Sequence, residues 1–538
     1  MIHMNKVYLY DTTLRDGSQQ EGISFTVTDK LKIVQKLDDL GIDYIEGGWP
    51  GSNPKDTEFF QKAHQLKLKH AVLVAFGSTR RIDVTVEQDS GLKALINSGA
   101  RAVNIVGKTS DRQVTQVLET TLSQNLALIK ESVAFLKSKG LTVFFDAEHL
   151  FDGFKSNPNY TIETLAAASE GGADCLVLCD TNGGTLPSEA ADIIAKIQKK
   201  VKCPLGIHAH NDCDLAVAVS LTAVEQGVSH VEGTFNGYGE RCGNANLCSI
   251  IPNLQLKMGI KVLASKQLAQ LTEVSRFISE VANHPPVPQL PYVGSSAFVH
   301  KAGLHVSALS KWADSYQHIN PKLVGNNPRV IISELSGKSN IIYKAKELGI
   351  PLPPRGKQAM YILDHIKQLE NAGFQYENAD ASFELLILRS QEDYKPPFEL
   401  IDYMVVVERH RRLPASYEIG SELLAEATIK VKIDNRIMHT ASEGNGPVNA
   451  LDYALRKALL EFYPSLKKVD LIDYKVRILE GSSGTGSLVR VFIESSDDKV
   501  QWRTVGSSTN IIEASWLALY DSMEYFLLKV DKKGRRTV

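Results

Sequence analysis

A chain of 538 residues exceeds what one hydrophobic core can fill, so two or three domains are expected. With 43% hydrophobic residues, 23% charged residues and a formal net charge of -2, it has the balance of an ordinary globular protein and no electrostatic bias toward nucleic acid or an anionic membrane. The opening MIHMNKVYLYD has no basic region followed by an apolar core, and no stretch approaches the ~18 apolar residues of a membrane span, so a cytoplasmic protein with no nucleic-acid or membrane partner is expected.

From residue 7 to about 250 one pattern recurs: a short run rich in Val, Ile, Leu and Phe ends in polar residues, and a helical period follows. The runs are VYLYDTT (7–13), YIEGGWP (44–50), AVLVAFG (71–77), AVNIVGK (102–108), TVFFDAEH (142–149), CLVLCDTN (175–182), LGIHAHND (205–212) and HVEGTFNG (230–237). Near-continuous apolar strands alternating with helices imply a parallel sheet covered on its outer face. Eight such units in this length match a closed (β/α)8 TIM barrel, and an open doubly wound sheet is the competing reading because periodicity does not report closure. In TDKLKIVQKLDDLG (28–41), Thr28 is the expected cap, Leu31, Val34, Leu37 and Leu40 recur at helical spacing, and Gly41 supplies the stop. All six cysteines fall between Cys175 and Cys248 without a CxxC pair, and they read as reduced, mostly buried thiols.

NHPPVPQLPYVG (283–294), with Pro285, Pro286, Pro288 and Pro291, reads as a linker, and GIPLPPRGKQ (349–358) is a second break, with a mainly helical stretch between them. From about 380 strands and helices alternate with an internal echo: TIKVKID (428–434) resembles LVRVFIE (488–494), and ALDYALRKALLEF (450–462) resembles ASWLALYDSMEYF (514–526). The offset is 60 residues at the strands and 64 at the helices, read as a hairpin four residues longer in the second copy. Two strand-hairpin-helix copies suggest a small pseudo-symmetric α+β domain. Gly444, Gly446 and Gly506 stand just before the helices, as turns or as a place for a carboxylate on free N–H groups. The expected division is a barrel over 1–280, linker subdomains over 281–380 and a C-terminal α+β domain over 381–538.

In IHAHND, His208 and His210 are two apart on a predicted strand, so both imidazoles point to one side. Alone this pattern fits two hydrogen-bonded polar residues as well as a metal pair. In a barrel, however, the carboxyl ends of all strands share one face, and Asp16 follows the first strand, so a carboxylate and two imidazoles converge as a divalent-metal site. Asn244, in the loop after the eighth strand, offers a side-chain carbonyl as a fourth ligand. Glu46, Asp146, Glu148, Asp180 and Thr181 also close strands. Taken one at a time, such residues are solvated strand ends or helix caps. With Arg15 beside Asp16, a cation and a guanidinium could stabilise charge growing on a substrate oxygen, which suits carbon-carbon bond chemistry beside a carbonyl. A mixed N/O donor set leaves Zn, Mn and Mg open.

DTTLRDG opening a barrel, HAHND on strand seven and GERCGN after strand eight resemble the Claisen-condensing barrel enzymes, the 2-isopropylmalate, homocitrate and citramalate synthases, with the hydroxymethylglutaryl-CoA lyases as cousins. Residues 21–56, ARAVNIVGK (100–108) and EDYKPPFELIDY (392–403) are most similar to the citramalate-forming branch. The resemblance implies condensation of acetyl-CoA with pyruvate, metal ligands Asp16, His208, His210 and Asn244, an active-site Arg15, carboxylates Glu46 and Glu148, and Thr181 at the keto acid's carboxylate. HKAGLHVSALSK (300–311) looks like the family segment with an active-site histidine, which makes His305 its counterpart, and Tyr316 matches the family tyrosine. Where many relatives have Asp and Gly after that histidine, this chain has Ser307 and Ala308. The resemblance also implies a C-terminal regulatory domain, isoleucine as inhibitor and a homodimer. The rival readings are a 2-isopropylmalate synthase with the same site, a lyase cleaving an acyl-CoA, and a non-catalytic amino-acid sensor on a barrel scaffold.

Overall fold

The computed structural model describes residues 6–333, 336–350, 352, 358–409, 423–479 and 484–530. Residues 351 and 353–357 of the expected second break lie outside them. The chain divides into two compact units, one within Met1–Phe298 and His318–Pro328, the other within Val299–Gln317 and Arg329–Val538. No helix among the described residues is long and apolar enough to cross a membrane.

In the first unit eight parallel strands, β1 (Tyr8–Asp11), β2 (Tyr44–Gly48), β3 (Val72–Ser78), β4 (Ala102–Lys108), β5 (Thr142–Glu148), β6 (Cys175–Asp180), β7 (Leu205–Ala209) and β8 (His230–Gly233), form a closed barrel in sequence order. All eight apolar runs become strands, and the open-sheet alternative is excluded because β1 pairs with both β2 and β8. The outward faces pack into the main core with the surrounding helices. Inward faces contribute a separate plug of Tyr10, Val74, Ala102, Phe144, Cys175, Val177 and Cys179. The thiols are free, as expected, but Cys213 and Cys242 are exposed, because both lie in loops rather than on strands.

The first helix, Val27–Leu40, is capped two residues earlier than the sequence suggested. Thr26 Oγ1 accepts from the Asp29 N–H (3.2 Å) and Asp29 accepts from the Thr26 N–H (3.0 Å). This reciprocal box requires an acid three residues after the cap. Thr26 satisfies that with Asp29, whereas Thr28 would face Leu31. Gly41, at φ 98°, ends the helix in the left-handed conformation that glycine adopts without a Cβ penalty.

The second unit holds a short parallel pair, β9 (Val299–His300) with β10 (Arg329–Val330), several helices, and two antiparallel sheets. These are β11 (Glu399–Arg409), β12 (Leu423–Ile433) and β13 (Arg436–Gly444), then β14 (Asp470–Ile478), β15 (Val489–Ser496) and β16 (Gln501–Ser508). A helix follows each sheet, Pro447–Leu459 and Ile511–Tyr525, and the two sheets and helices share one core. Each copy therefore has three antiparallel strands followed by a helix. The expected 60-residue strand offset is corrected to 64: Ala425–Lys432 has the pairing register of Val489–Ser496, and the positive-φ turn residues are Asp434 (φ 53°) and Asp498 (φ 70°). Gly506 is not a turn before the helix but lies within β16, where a Cβ would meet Ala514 O at 2.0 Å.

One buried ion pair fastens the start of the barrel. Lys30 (2% exposed) donates to Asp56 Oδ1 (2.5 Å) and to Gly47 O (3.0 Å), while Asp56 (5% exposed) also accepts from the Trp49 N–H (2.9 Å). Gly48 is required there, since its φ is 144° and a Cβ would lie 2.4 Å from the Asp56 carboxyl carbon. Removing one partner strands a buried charge, which costs about 3–5 kcal/mol. Asp56→Ala is therefore expected to lower the barrel's melting transition by roughly 10 °C in calorimetry.

Candidate active site and metal centre

The turn after β1 is wound around Thr12. The N–H groups of Arg15 (3.2 Å) and Gly17 (3.0 Å) both donate to Thr12 O, which brings Arg15 and Asp16 to the barrel mouth. Glu46 fixes the guanidinium. It is fully buried, accepts from Arg15 Nε (2.6 Å), Tyr10 OH (2.7 Å) and Thr12 Oγ1 (2.6 Å), and has the Asn104 amide near by at 3.4 Å. Arg15 also stacks on Phe76, with its Cζ 3.8 Å from the ring centre, and its NH1 lies 3.5 Å from Asp16. Glu46 is saturated by these donors, and Arg15 is the one cation among them.

Asp16 Oδ2 lies 3.2 Å from His208 Nε2 and 3.8 Å from His210 Nε2. The ligand atoms of this buried trio all fall within 4.8 Å of one another. Behind it, His208 Nδ1 pairs with Glu232 (2.9 Å), whose other oxygen meets His230 Nε2 (3.1 Å), so Nε2 of His208 is turned toward Asp16. Asn244 bridges to His210 in the antiparallel sense, and its Nδ2 donates to Tyr238 O (3.2 Å). That leaves Asn244 Oδ1 buried and without a partner among the described residues, as is His210 Nδ1. Gly243, at φ 88°, lets this loop close, since a Cβ would meet Gly237 O at 2.0 Å. One carboxylate, two imidazoles and an unpartnered amide oxygen fit a hard or borderline divalent cation.

The electrostatics favour a cation at Asp16 and His210, whereas at His208 burial alone would lower the imidazole but Asp16 and Glu232 outweigh it and hold it well above its ordinary value, so that a cation there displaces a proton. Burial alone would raise the Asp16 carboxyl, but the Arg15 guanidinium, with His208 and His210, outweighs it and holds the group well below the usual carboxylate range. Burial, with the neighbouring His208, pushes His210 down to about 4, so its imidazole is neutral near pH 7 and keeps a lone pair for a cation. Burial and Glu232 push Asp146 well up.

A cavity of about 720 Å³ opens here, lined among others by Arg15, Asp16, Glu148, Thr181, His208 and His210. Its wall extends past Lys108 to Arg81, Ile82 and Leu128. Thr181 Oγ1 accepts from the His149 N–H (2.8 Å), which leaves its hydroxyl proton free to donate. Asp180 takes the plain reading, accepting from Thr185 N–H (3.1 Å) and Oγ1 (2.8 Å) in its own loop. His305 and Tyr316 belong to the second unit, where their rings stack 4.1 Å apart at 24°. Ser307 and Ala308 lie inside the helix Gly303–Lys311, where a glycine would cost up to ~1 kcal/mol.

Sequence reasoning passed over Glu232, His230, Tyr10, Asn104 and Lys108. The available signal was parity: His230 and Glu232 are two apart in an otherwise apolar strand, and so are Asp146 and Glu148, which sets each pair on one face.

The HMGL-like family model matches residues 6–278, the homocitrate synthase post-HMGL domain-like model 292–373, and the LeuA allosteric (dimerisation) domain 377–527. The chain is 53% identical to (R)-citramalate synthase of Aquifex aeolicus, over 98% of this chain and 99% of that one. It is 52% identical to (R)-citramalate synthase of Geobacter sulfurreducens over the same shares. It is also 30% identical to 2-isopropylmalate synthase of Methanocaldococcus jannaschii, over 98% and 96%.

The His208–Glu232 contact makes a measurable demand. Outer carboxylates on ligand histidines are typically worth 10- to 100-fold in metal affinity. Glu232→Gln should weaken Mn²⁺ or Zn²⁺ binding by about that factor in equilibrium dialysis with metal analysis.

Proposed function

The chain belongs to the (R)-citramalate synthase family of HMGL-like barrel enzymes, and from that premise we propose that it condenses acetyl-CoA with pyruvate and water to (R)-citramalate and CoA, the first step of the pyruvate route to isoleucine. The observation that carries this reading is the meeting of Asp16, His208 and His210 beside an Arg15 locked in place by Glu46. The higher identity to citramalate synthases than to the 2-isopropylmalate synthase of Methanocaldococcus jannaschii favours pyruvate over the larger keto acid.

Asp16, His208, His210 and Asn244 would hold the cation, with Zn, Mn and Mg all compatible, and when bound it supplies Lewis-acid polarisation of the keto oxygen. Arg15 presents its remaining N–H donors to the negative charge that develops on that oxygen, and it does so without reorganising, because Glu46 and Phe76 already fix it. The Thr181 hydroxyl is free to donate to the pyruvate carboxylate. His305 is assigned the methyl proton of acetyl-CoA. A thioester methyl is weakly acidic, so the base must be oriented and shielded from water; Glu148 is assigned the orientation and Tyr316 the stacking partner. The resulting enolate attacks the keto carbon, and hydrolysis of the thioester releases CoA. Of the domain division, 1–280 is assigned the chemistry, 281–380 the segment with His305, and 381–538 the binding of isoleucine. The LeuA allosteric (dimerisation) match supports a homodimer regulated through this last region. A cytoplasmic location fits the two metabolites used.

A thiol-release assay across keto acids is expected to give rates with pyruvate at least tenfold above those with 2-ketoisovalerate, to lose them with a chelator, and to slow with added isoleucine. Equal rates with both acids would favour the 2-isopropylmalate reading, and cation binding without release from any keto acid would favour a sensor. His305→Ala should lower kcat by about 10²–10⁴; a variant within tenfold of wild type would remove His305 from the role of base.

A further inference from the structure

Lys108 closes β4 as Glu148 closes β5, and the two are register partners across the parallel pair. Alternation along β4 puts Asn104, Val106 and Lys108 on one face. Asn104 on that face reaches Tyr10 and Glu46 inside the barrel, and Lys108 lines the cavity at its mouth. There its ammonium is ion-paired with the Glu148 carboxylate, the side chains being 21% and 24% exposed. Among the described residues no other cation is paired with Glu148, and the neighbouring cations are held elsewhere: Arg15 by Glu46, Arg80 by Glu131 and Arg241 by Asp212.

The backbone beneath this pair is fixed. Thr109 donates to Glu148 O from both its N–H (3.1 Å) and its hydroxyl (2.7 Å). The buried Asn125 amide donates to Lys108 O (2.9 Å) and to Tyr160 OH (2.8 Å). With both strand ends anchored, the freedom left to the Glu148 carboxylate is rotation about its own side-chain bonds. The ammonium removes that freedom.

We propose that Lys108 is a positioning residue for the condensation, holding the Glu148 carboxylate in the one orientation that serves the catalytic base. The proposal rests on the role assigned to Glu148 above. Lysine suits the task because it is a compact point charge on a flexible stem, whereas the planar arginine fork would keep the charge and displace the carboxylate. A misplacement of ~1 Å in such a group costs about 10²-fold in rate.

The test compares steady-state kinetics of the full-length, metal-loaded enzyme with Lys108→Met, Lys108→Arg, Glu148→Gln and the double variant Lys108→Met/Glu148→Gln. Lys108→Met is expected to lower kcat by about 10²-fold, with the KM for pyruvate and acetyl-CoA, the metal content and the melting temperature nearly unchanged. Lys108→Arg should recover about tenfold of that loss, and Lys108→Met should add less than about threefold to Glu148→Gln, because the group it positions is already gone. Losses that multiply in the double variant, or a loss expressed as a raised KM for acetyl-CoA, would overturn the proposal and make Lys108 a substrate contact. If Lys108→Met fails to fold, Lys108→Arg alone and combined with Glu148→Gln decides by the same rule. Near wild-type kcat in Glu148→Gln itself would sink the role of Glu148, and the proposal with it; multiplied losses sink only the latter.

Discussion

Three strands are tied together at Glu232. In the closed barrel β8 lies between β1 and β7, and Tyr10 and His208 are both register partners of this residue. Closure turns a long separation in sequence into a contact: Asp16, after the first strand, and His208, on the seventh, end 3.2 Å apart. A carboxylate buried this deeply carries a desolvation penalty of several kcal/mol, which persists only where well-aligned partners offset it. Here they are His208 and His230, one on each oxygen. Burial alone would raise the Glu232 carboxyl, and the two imidazoles outweigh it and keep the group ionised. The arrangement contributes little to stability and much to orientation, since it sets which nitrogen of His208 faces Asp16.

Glu46 applies the same logic to the other half of the site. An arginine at a barrel mouth is a long side chain with many rotamers, and ordering it at the moment of reaction would cost entropy. The bond to Glu46, the stacking on Phe76 and the turn around Thr12 meet that cost during folding. The carboxylate is in turn locked by Tyr10 and Thr12, so the guanidinium is held by a network whose members come from β1, its following turn, and β2. This explains the odd polarity of DTTLRDG. Asp11 accepts from the Thr13 N–H (3.1 Å) and hydroxyl (2.7 Å) to shape the turn, Thr12 supplies its hub, and Arg15 and Asp16 are the side chains it brings to the barrel mouth.

Much of the barrel was legible because a strand buried on both faces has to be apolar, and eight such runs in order leave few topologies. His208 and His210 were legible for the complementary reason: polar residues in an apolar strand need an explanation, and their spacing puts them on one face. Glu232 and Lys108 sit in runs of the same kind and carried the same signal, but a single charge in a strand reads as a solvated end unless its partner is known. Those partners, His208 for one and Glu148 for the other, lie 24 and 40 residues away, and only closure or strand pairing supplies them. The Thr26 cap was hidden by a different degeneracy, since Thr26 and Thr28 are both good caps and only the reciprocal bond with Asp29 separates them.

The repeat in the second unit shows why a strand alignment by residue type can slip. Side chains in a strand alternate with period two, so a shift of four residues keeps every inward residue inward and leaves the apolar pattern nearly as good. Turns do not share that tolerance. A two-residue hairpin needs a left-handed first residue, and Asp434 and Asp498 are the residues that adopt it. Fixing those two fixes both registers at the offset already read from the helices. The first strands give a second anchor: Leu400-Ile401-Asp402-Tyr403 and Leu471-Ile472-Asp473-Tyr474 repeat one tetrapeptide, and each carries a register shift between its Leu and its Asp. A bulge is an inserted residue that re-aims the strand after it, and its recurrence makes the copies equivalent in twist as well as in order. The two halves are therefore related by irregular positions, turn and bulge, more securely than by the apolar residues that first suggested the repeat.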